Sequence, residues 1–281
     1  MLDLDEKTIT EAVLGTMADT PDERIRNMLS SLVRHLHDFV RDVNLTEAEW
    51  AYAIDFLTRT GQKCDAERQE FILLSDVLGV TMLVDAVNHR RSSAATENSV
   101  QGPFYRVGRP EFADGADISN GLPGTPLLFR ATVVDTTGAP VSGAAFDVWH
   151  TDGEGHYDSD VPGLGTAAMR GLFRTNRDGT VTVRSIAPAP YPIPDDGPVG
   201  EVMRATRRSV MRPGHIHVRI EAPGFSTVTT MLFRDDDPYL DNDPVFGAKQ
   251  SLLYQRDVRD SEEGPFELVE HTFVLDRAAA L

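Results

Sequence analysis

The chain has 281 residues, 27 Lys and Arg against 44 Asp and Glu, and a formal charge of −17. That balance argues against a nucleic-acid backbone or an anionic membrane as partner. The 41% hydrophobic and 25% charged content is that of a globular chain with material for one large domain or two unequal ones. Cys64 is the single cysteine, so no intrachain disulfide and no thiolate zinc cluster can form within one chain. The apolar runs are shorter than a membrane span, and Met1-Leu-Asp-Leu-Asp-Glu6 lacks the basic and apolar segments of a secretory signal. A cytoplasmic enzyme or binding protein is expected.

Residues 1–95 read as a helical domain. Thr20-Pro21-Asp22-Glu23 is a helix start in which Thr20 can cap and Glu23 can complete a capping box. Ile25, Met28, Leu29, Leu32, Val33 and Leu36 then follow a helical stripe. Thr46 with Glu49 is a second capping box, opening a helix that stops near Gly61. Segments 67–78 and 81–89 supply further amphipathic helix. From residue 96 to 281 the pattern is that of short strands between turns, and the expected fold is a β-sandwich behind a helical region. Leu127–Val134 and Ala145–His150 read as strand and returning strand around the turn at 136–140. Gly171–Thr175 and Thr180–Ile186 read as a second hairpin around Arg177-Asp-Gly179. His215–Glu221, Thr227–Phe233 and Glu267–Leu275 read as later strands. Ala187–Pro198 carries five prolines and reads as an ordered loop.

His215-Ile-His217 opens one of these strands. Residues i and i+2 of a strand share a face, roughly 7 Å apart at Cα, so both imidazoles can converge on one metal ion. Taken alone, the pair is equally readable as structural. Tyr157 and Tyr191 precede it, and two phenolates with two imidazoles favour a hard, highly charged ion such as Fe(III) over Zn(II) or Fe(II). A phenol of pKa about 10 ionises near neutrality only beside a compensating cation. A tyrosine in a Pro-rich loop, as Tyr191 is, is more often a packed side chain than a ligand. The acidic run Asp235-Asp-Asp-Pro-Tyr-Leu-Asp-Asn-Asp243 lacks the spacing of a known calcium loop and reads as a solvated turn.

In this order and with these gaps, Tyr157, Tyr191, His215 and His217 resemble the ligand set of the intradiol ring-cleavage dioxygenases. That family holds non-haem Fe(III) with two Tyr and two His. Leu57-Thr-Arg-Thr-Gly-Gln62, Arg68 to Gly79, Ala95-Thr-Glu-Asn98, Gly102-Pro-Phe104 and Tyr191 to Gly200 resemble its hydroxyquinol-cleaving branch more than its catechol-cleaving one. The resemblance implies a homodimer through the N-terminal helices and one Fe(III) per chain. It also implies a small aromatic diol or triol and O2 as substrates, with Tyr191 as the ligand that leaves when substrate binds. Arg212 matches an arginine that stabilises the anionic substrate, a role suited to a guanidinium in a desolvated site. Leu73, Asp76, Val100, Gly102, Pro103, Phe104, Ile193, Pro194 and Val245 match positions lining the substrate pocket. Asp76 would accept a hydrogen bond from the third ring hydroxyl of a triol. Two positions depart from the family pattern. Met231 stands where a Gln or His is usual, and Gln101 stands where the hydroxyquinol branch is apolar. Catechol or chlorocatechol cleavage is the alternative on the same scaffold, and a metal-binding β-sandwich module is the non-enzymatic one. No Gly-x-Ser-x-Gly or His-Glu-x-x-His motif supports a hydrolase.

Overall fold

The structure is a computed structural model that describes residues 3–66, 68–161, 164, 167–262 and 264–278. It forms two units, Met1–Gln62 and Lys63–Leu281.

The first unit holds α1 (Ile9–Gly15), α2 (Glu23–Asp42) and α3 (Glu47–Gln62). Asp22, not Thr20, caps α2: its carboxylate accepts from Ile25 N at 2.9 Å. A side chain at the Ncap reaches the N–H three residues on, and Asp22 stands at that offset from the first turn. The second capping box forms as expected, with Thr46 N donating to Glu49 Oε2 at 2.9 Å and Glu49 N to Thr46 Oγ1 at 3.3 Å. Arg41 on α2 donates through Nε to Glu6 O at 3.0 Å, which ties the segment before α1 to α2. The apolar stripe of α2 stays in solvent, with Leu32 54%, Leu36 53% and Phe39 53% exposed.

The second unit begins with α4 (Glu70–Val77) and α5 (Val80–Asn88), joined at Gly79, whose φ of 73° is left-handed. Glu67, the expected start of α4, lies outside the described residues. These two helices belong with the sheets, although their sequence texture groups them with the N-terminal helices. Glu70 is the reason: buried in α4, it pairs with Arg68 at 2.7 Å and accepts from Val199 N at 3.1 Å, at the start of α6 (Pro198–Thr206). The helix α6 arises at the end of the proline-rich segment, where Pro198 suits a first turn.

Two sheets follow. One runs β10 (Asp257–Ser261), β11 (Gly264–Leu275), β1 (Pro126–Asp135) and β4 (Thr180–Ile186). The other runs β3 (Arg170–Arg174), β2 (Ala145–His150), β7 (His215–Glu221), β8 (Val228–Arg234) and β9 (Leu253–Tyr254). A two-stranded ribbon pairs β5 (Tyr191–Pro192) with β6 (Met211–Arg212). Neither expected hairpin forms. β1 pairs with β11 and β4, while β2 pairs with β3 and β7, so both turns carry the chain from one sheet to the other. The turn residues are as read, but crossing buries both inner faces against each other, which a local hairpin cannot do. Gly179 marks one crossing: its φ is 78°, and a Cβ there would lie 2.4 Å from Val133 O. Between the sheets, Phe129, Phe146 and Phe273 pack with centroids 5.6–6.5 Å apart, surrounded by Val133, Val181, Val218 and Ile220. The β7–β8 register sets His217 opposite Met231.

Candidate active site

β7 presents His215 and His217 on one face, and their Nε2 atoms lie 3.1 Å apart. His215 Nδ1 donates to Pro213 O at 2.7 Å, which fixes the tautomer and leaves the Nε2 lone pair pointing into the site. His217 stacks on Trp149 of β2, centroids 4.7 Å apart and planes at 6°. Gly102, with φ 72°, allows a close approach there: a Cβ on it would meet His217 Cε1 at 3.4 Å. Tyr191 enters from the β5–β6 ribbon, where its register partner is Arg212. Tyr157 comes from the loop after β2 and is buried against Phe104, stacked at 3.9 Å. Ring centroids are 5.5 Å apart for Tyr157 and Tyr191, 5.6 Å for Tyr191 and His215, and 6.5 Å for Tyr157 and His217. All four sequence-predicted donors are therefore buried together.

The electrostatics suit a cation. Burial, helped by the Arg212 charge, pushes His215 down to about 3, and burial beside His215 pushes His217 well below its ordinary value. Both imidazoles are thus neutral, the form that binds metals. Burial and the Tyr191 phenol push Tyr157 well above its ordinary value. Tyr157 Oη has no hydrogen-bond partner among the described residues. Burying a hydroxyl without a partner costs free energy, and a metal ion at that atom would both satisfy and ionise it. Among the described residues no three His, Cys, Asp or Glu side chains form a metal-binding group, so a four-donor site here requires the tyrosines.

Arg212 supplies the positive charge. It is buried, and Nη1 donates to Tyr191 Oη at 3.1 Å and lies 3.3 Å from His215 Nε2. Burial opposes its charge, but Tyr191 and Asp243 more than offset this and hold it above its ordinary value. The remaining predicted positions divide. Val100, Ile193 and Val245 are buried in one cluster with Met231, and Leu73 packs against it half-buried. Asp76 is half-buried on α4; burial raises its pKa against Thr81 and the Arg212 charge. Pro103, Pro194 and Gln101 are exposed. A cavity of about 480 Å³ lined by Arg207, Arg208, Leu240 and Phe246 contains none of the four donors and borders the site only through Asp243.

This sequence matches the family described as Catechol dioxygenase N terminus over residues 22–96 and that described as Dioxygenase over residues 100–277. The chain belongs to the intradiol ring-cleavage dioxygenases. It is 50% identical over 253 residues to the 6-chlorohydroxyquinol 1,2-dioxygenase of Cupriavidus pinatubonensis, covering 90% of this chain and 92% of that protein. It is 44% identical over 282 residues to the hydroxyquinol 1,2-dioxygenase of a Rhizobium species, covering 97% and 96%. A crystal structure of hydroxyquinol 1,2-dioxygenase from Pseudomonas putida superposes with a TM-score of 0.93 at 44% identity, covering 97% of this chain and 99% of that one.

In this intradiol dioxygenase, the structure adds residues that sequence reasoning missed. Arg170 on β3 pairs with Asp158, whose carboxylate is buried next to Tyr157, and donates to Phe104 O at 2.9 Å, so one guanidinium ties that loop to the ring stacked on it. The acidic segment 235–243 is not simply a solvated turn. Asp237 accepts from Gly214 N at 2.9 Å, just before His215, and Asp243 pairs with Arg212 at 3.1 Å. Asp158 carried one signal, its adjacency to Tyr157. Asp237 and Asp243 carried none, because an acidic run reads as solvated until the partner amides and guanidinium are located.

Proposed function

We propose that the chain opens the ring of hydroxyquinol (benzene-1,2,4-triol) with O2, between its adjacent hydroxyls, to 3-hydroxy-cis,cis-muconate, the enol of maleylacetate. The observation that carries this reading is the convergence of two phenols and two neutral imidazoles beside a buried arginine, in a member of this family. We assign Tyr157, Tyr191, His215 and His217 as ligands of one non-haem Fe(III), since the orphaned Tyr157 Oη and the neutral histidines fit such an ion. When bound, ferric iron supplies the Lewis acidity that draws electron density from the diol and makes a ring carbon susceptible to O2.

The protein's own part follows from the contacts. Tyr191 Oη is the oxygen we assign to take a proton from a substrate hydroxyl, with Arg212 Nη1 at 3.1 Å stabilising its charge until then. Arg212 then faces the anionic, ketonised ring, where a buried guanidinium is worth more than in water. Leu73, Val100, Ile193 and Val245 form an apolar wall that excludes water, with Gly102, Pro103, Phe104 and Pro194 completing the pocket. Asp76 is the group we assign to the third hydroxyl, which catechol lacks. The strong likeness to proteins that cleave hydroxyquinol and 6-chlorohydroxyquinol supports this choice. Oxygen uptake with hydroxyquinol, catechol and a chlorinated analogue tests it: uptake fastest with a triol supports the reading, and faster uptake with catechol would reassign the substrate. We also propose a homodimer through the N-terminal helices, supported by the exposed apolar stripe of α2.

A further inference from the structure

We propose that Asp243 is the positioning residue for Arg212, fixing its guanidinium so that Nη1 faces Tyr191 Oη. Arg212 Nε donates to Asp243 Oδ1 at 3.1 Å and Nη2 lies 3.5 Å from Oδ2, so the carboxylate grips one edge of the fork. Nη1 is left at the opposite side, 3.1 Å from Tyr191 Oη. Both side chains are buried, 4% and 2% exposed, so water cannot replace either partner. The carboxylate is itself held by the chain: Val245 N donates to Oδ1 at 3.3 Å and Gly247 N to Oδ2 at 2.8 Å. Glycine at 247 leaves room for this, since a Cβ there would lie 2.6 Å from Met231 Cε, 3.1 Å from Arg212 Nη2 and 3.2 Å from Asp243 Oδ2. The other acceptor near Nη2 is Met231 Sδ at 3.5 Å, and a thioether is too weak to fix a guanidinium. With the Asp243 charge removed, the Nε and Nη2 edge of Arg212 loses the carboxylate that fixes it, and the long flexible stem lets the guanidinium turn from its set angle toward Tyr191.

The inference rests on the reading that Tyr191 binds ferric iron as a phenolate. An N–H bonded to that phenolate lowers its filled orbital and raises the energy of phenolate-to-iron charge transfer. Losing the bond therefore moves the visible band to longer wavelength. The experiment compares the iron-loaded wild type, Asp243→Asn, Arg212→Gln and the double variant by visible absorption and steady-state kinetics. Asp243→Asn is expected to shift the band in the same direction as Arg212→Gln. It should lower kcat by roughly 10- to 100-fold with a much smaller change in KM, as loss of a supporting contact does. The double variant should shift no further than Arg212→Gln alone, because the two residues act as one unit. A band unmoved in Asp243→Asn, or additive shifts in the double variant, overturns the proposal. If Asp243→Asn does not fold, Asp243→Glu keeps the charge but adds one methylene, which displaces the carboxylate from the Nε and Nη2 edge of Arg212. The same red shift then supports the proposal, and an unmoved band overturns it. Wild-type protein that binds iron without a charge-transfer band would instead contradict the ligand assignment beneath it.

Discussion

Tyr157 and Tyr191 are both buried phenols, yet they differ in what their oxygens touch. Tyr191 Oη accepts from Arg212, whereas Tyr157 Oη has no partner among the described residues. In metal-free protein, Tyr157→Phe should therefore be neutral or stabilising by about 1 kcal/mol, because it removes an unsatisfied hydroxyl. Tyr191→Phe should destabilise, because it strips an acceptor from a buried cation. Paired urea titrations of the two variants check this, and equal losses would show that the Tyr157 hydroxyl is satisfied. With iron, both variants should lose metal and visible colour. Asp76→Ala should lower kcat/KM for hydroxyquinol roughly 10-fold or more and leave catechol turnover little changed, the effect of losing one hydrogen bond to a charged group. Equal losses on both substrates would remove Asp76 from the specificity argument. At this scale the burial together of Tyr157, Tyr191, His215, His217 and Arg212 was legible only through the family resemblance that their order carries, since each residue taken alone reads as readily as a packed or surface side chain. The Arg170–Asp158 and Arg212–Asp243 pairs were not, since each joins residues whose proximity only the fold creates.

Among the elements, the starts of α2, α3 and α5 were legible to within two residues and that of α4 to within three, and α2 shows where the reading slipped. Thr20 and Asp22 are both good caps, but the 2.9 Å bond from Ile25 N goes to Asp22. Asp22→Ala should then cost about 1 kcal/mol and Thr20→Ala close to nothing; thermal melts of the two variants decide it, and the reverse order would restore Thr20. Strands β1 to β4, β7, β8 and β11 were legible, because a strand such as β1 alternates buried and exposed positions as the period-2 pattern requires. The short β5, β6, β9 and β10 were not, and β5 lies in the proline-rich segment that reads as a loop. The pairing of the legible strands was misread. Turn residues at 136–140 and 177–179 announce a reversal but not whether the chain returns to its own sheet or crosses to the facing one. Phe146 shows the consequence, meeting Phe129 and Phe273 of the opposite sheet. Phe146→Ala should cost about 3–5 kcal/mol, as emptying a core aromatic site does, and a loss below 1 kcal/mol in chemical denaturation would contradict that packing.

For the whole molecule, the acidic charge and the buried histidines set the response to pH. His150 is fully buried between Thr151 O and Ser185 Oγ, and burial lowers its pKa to about 4. A histidine with a depressed folded pKa stays neutral in the fold while the unfolded chain takes up a proton. Its contribution is present above about 6.5 and lost as pH falls from there toward about 4, some ~3 kcal/mol in all. Stability of the metal-free protein should fall over that window, and His150→Gln should flatten the fall; an unchanged slope would contradict the assignment. No helix in the described residues is long and apolar enough to cross a membrane. In the proposed homodimer a second copy covers the exposed stripe of α2, and light scattering should then give twice the 281-residue mass, with Leu32→Glu and Leu36→Glu together returning the monomer. The measurement that bears most directly on the central claim is product identification after aerobic incubation of iron-loaded protein with hydroxyquinol under labelled dioxygen. Intradiol opening predicts 3-hydroxy-cis,cis-muconate or maleylacetate, with label in the carboxyl groups formed where the adjacent hydroxyl carbons were split. An unconsumed triol, or a semialdehyde from cleavage outside the two hydroxyls, would contradict it.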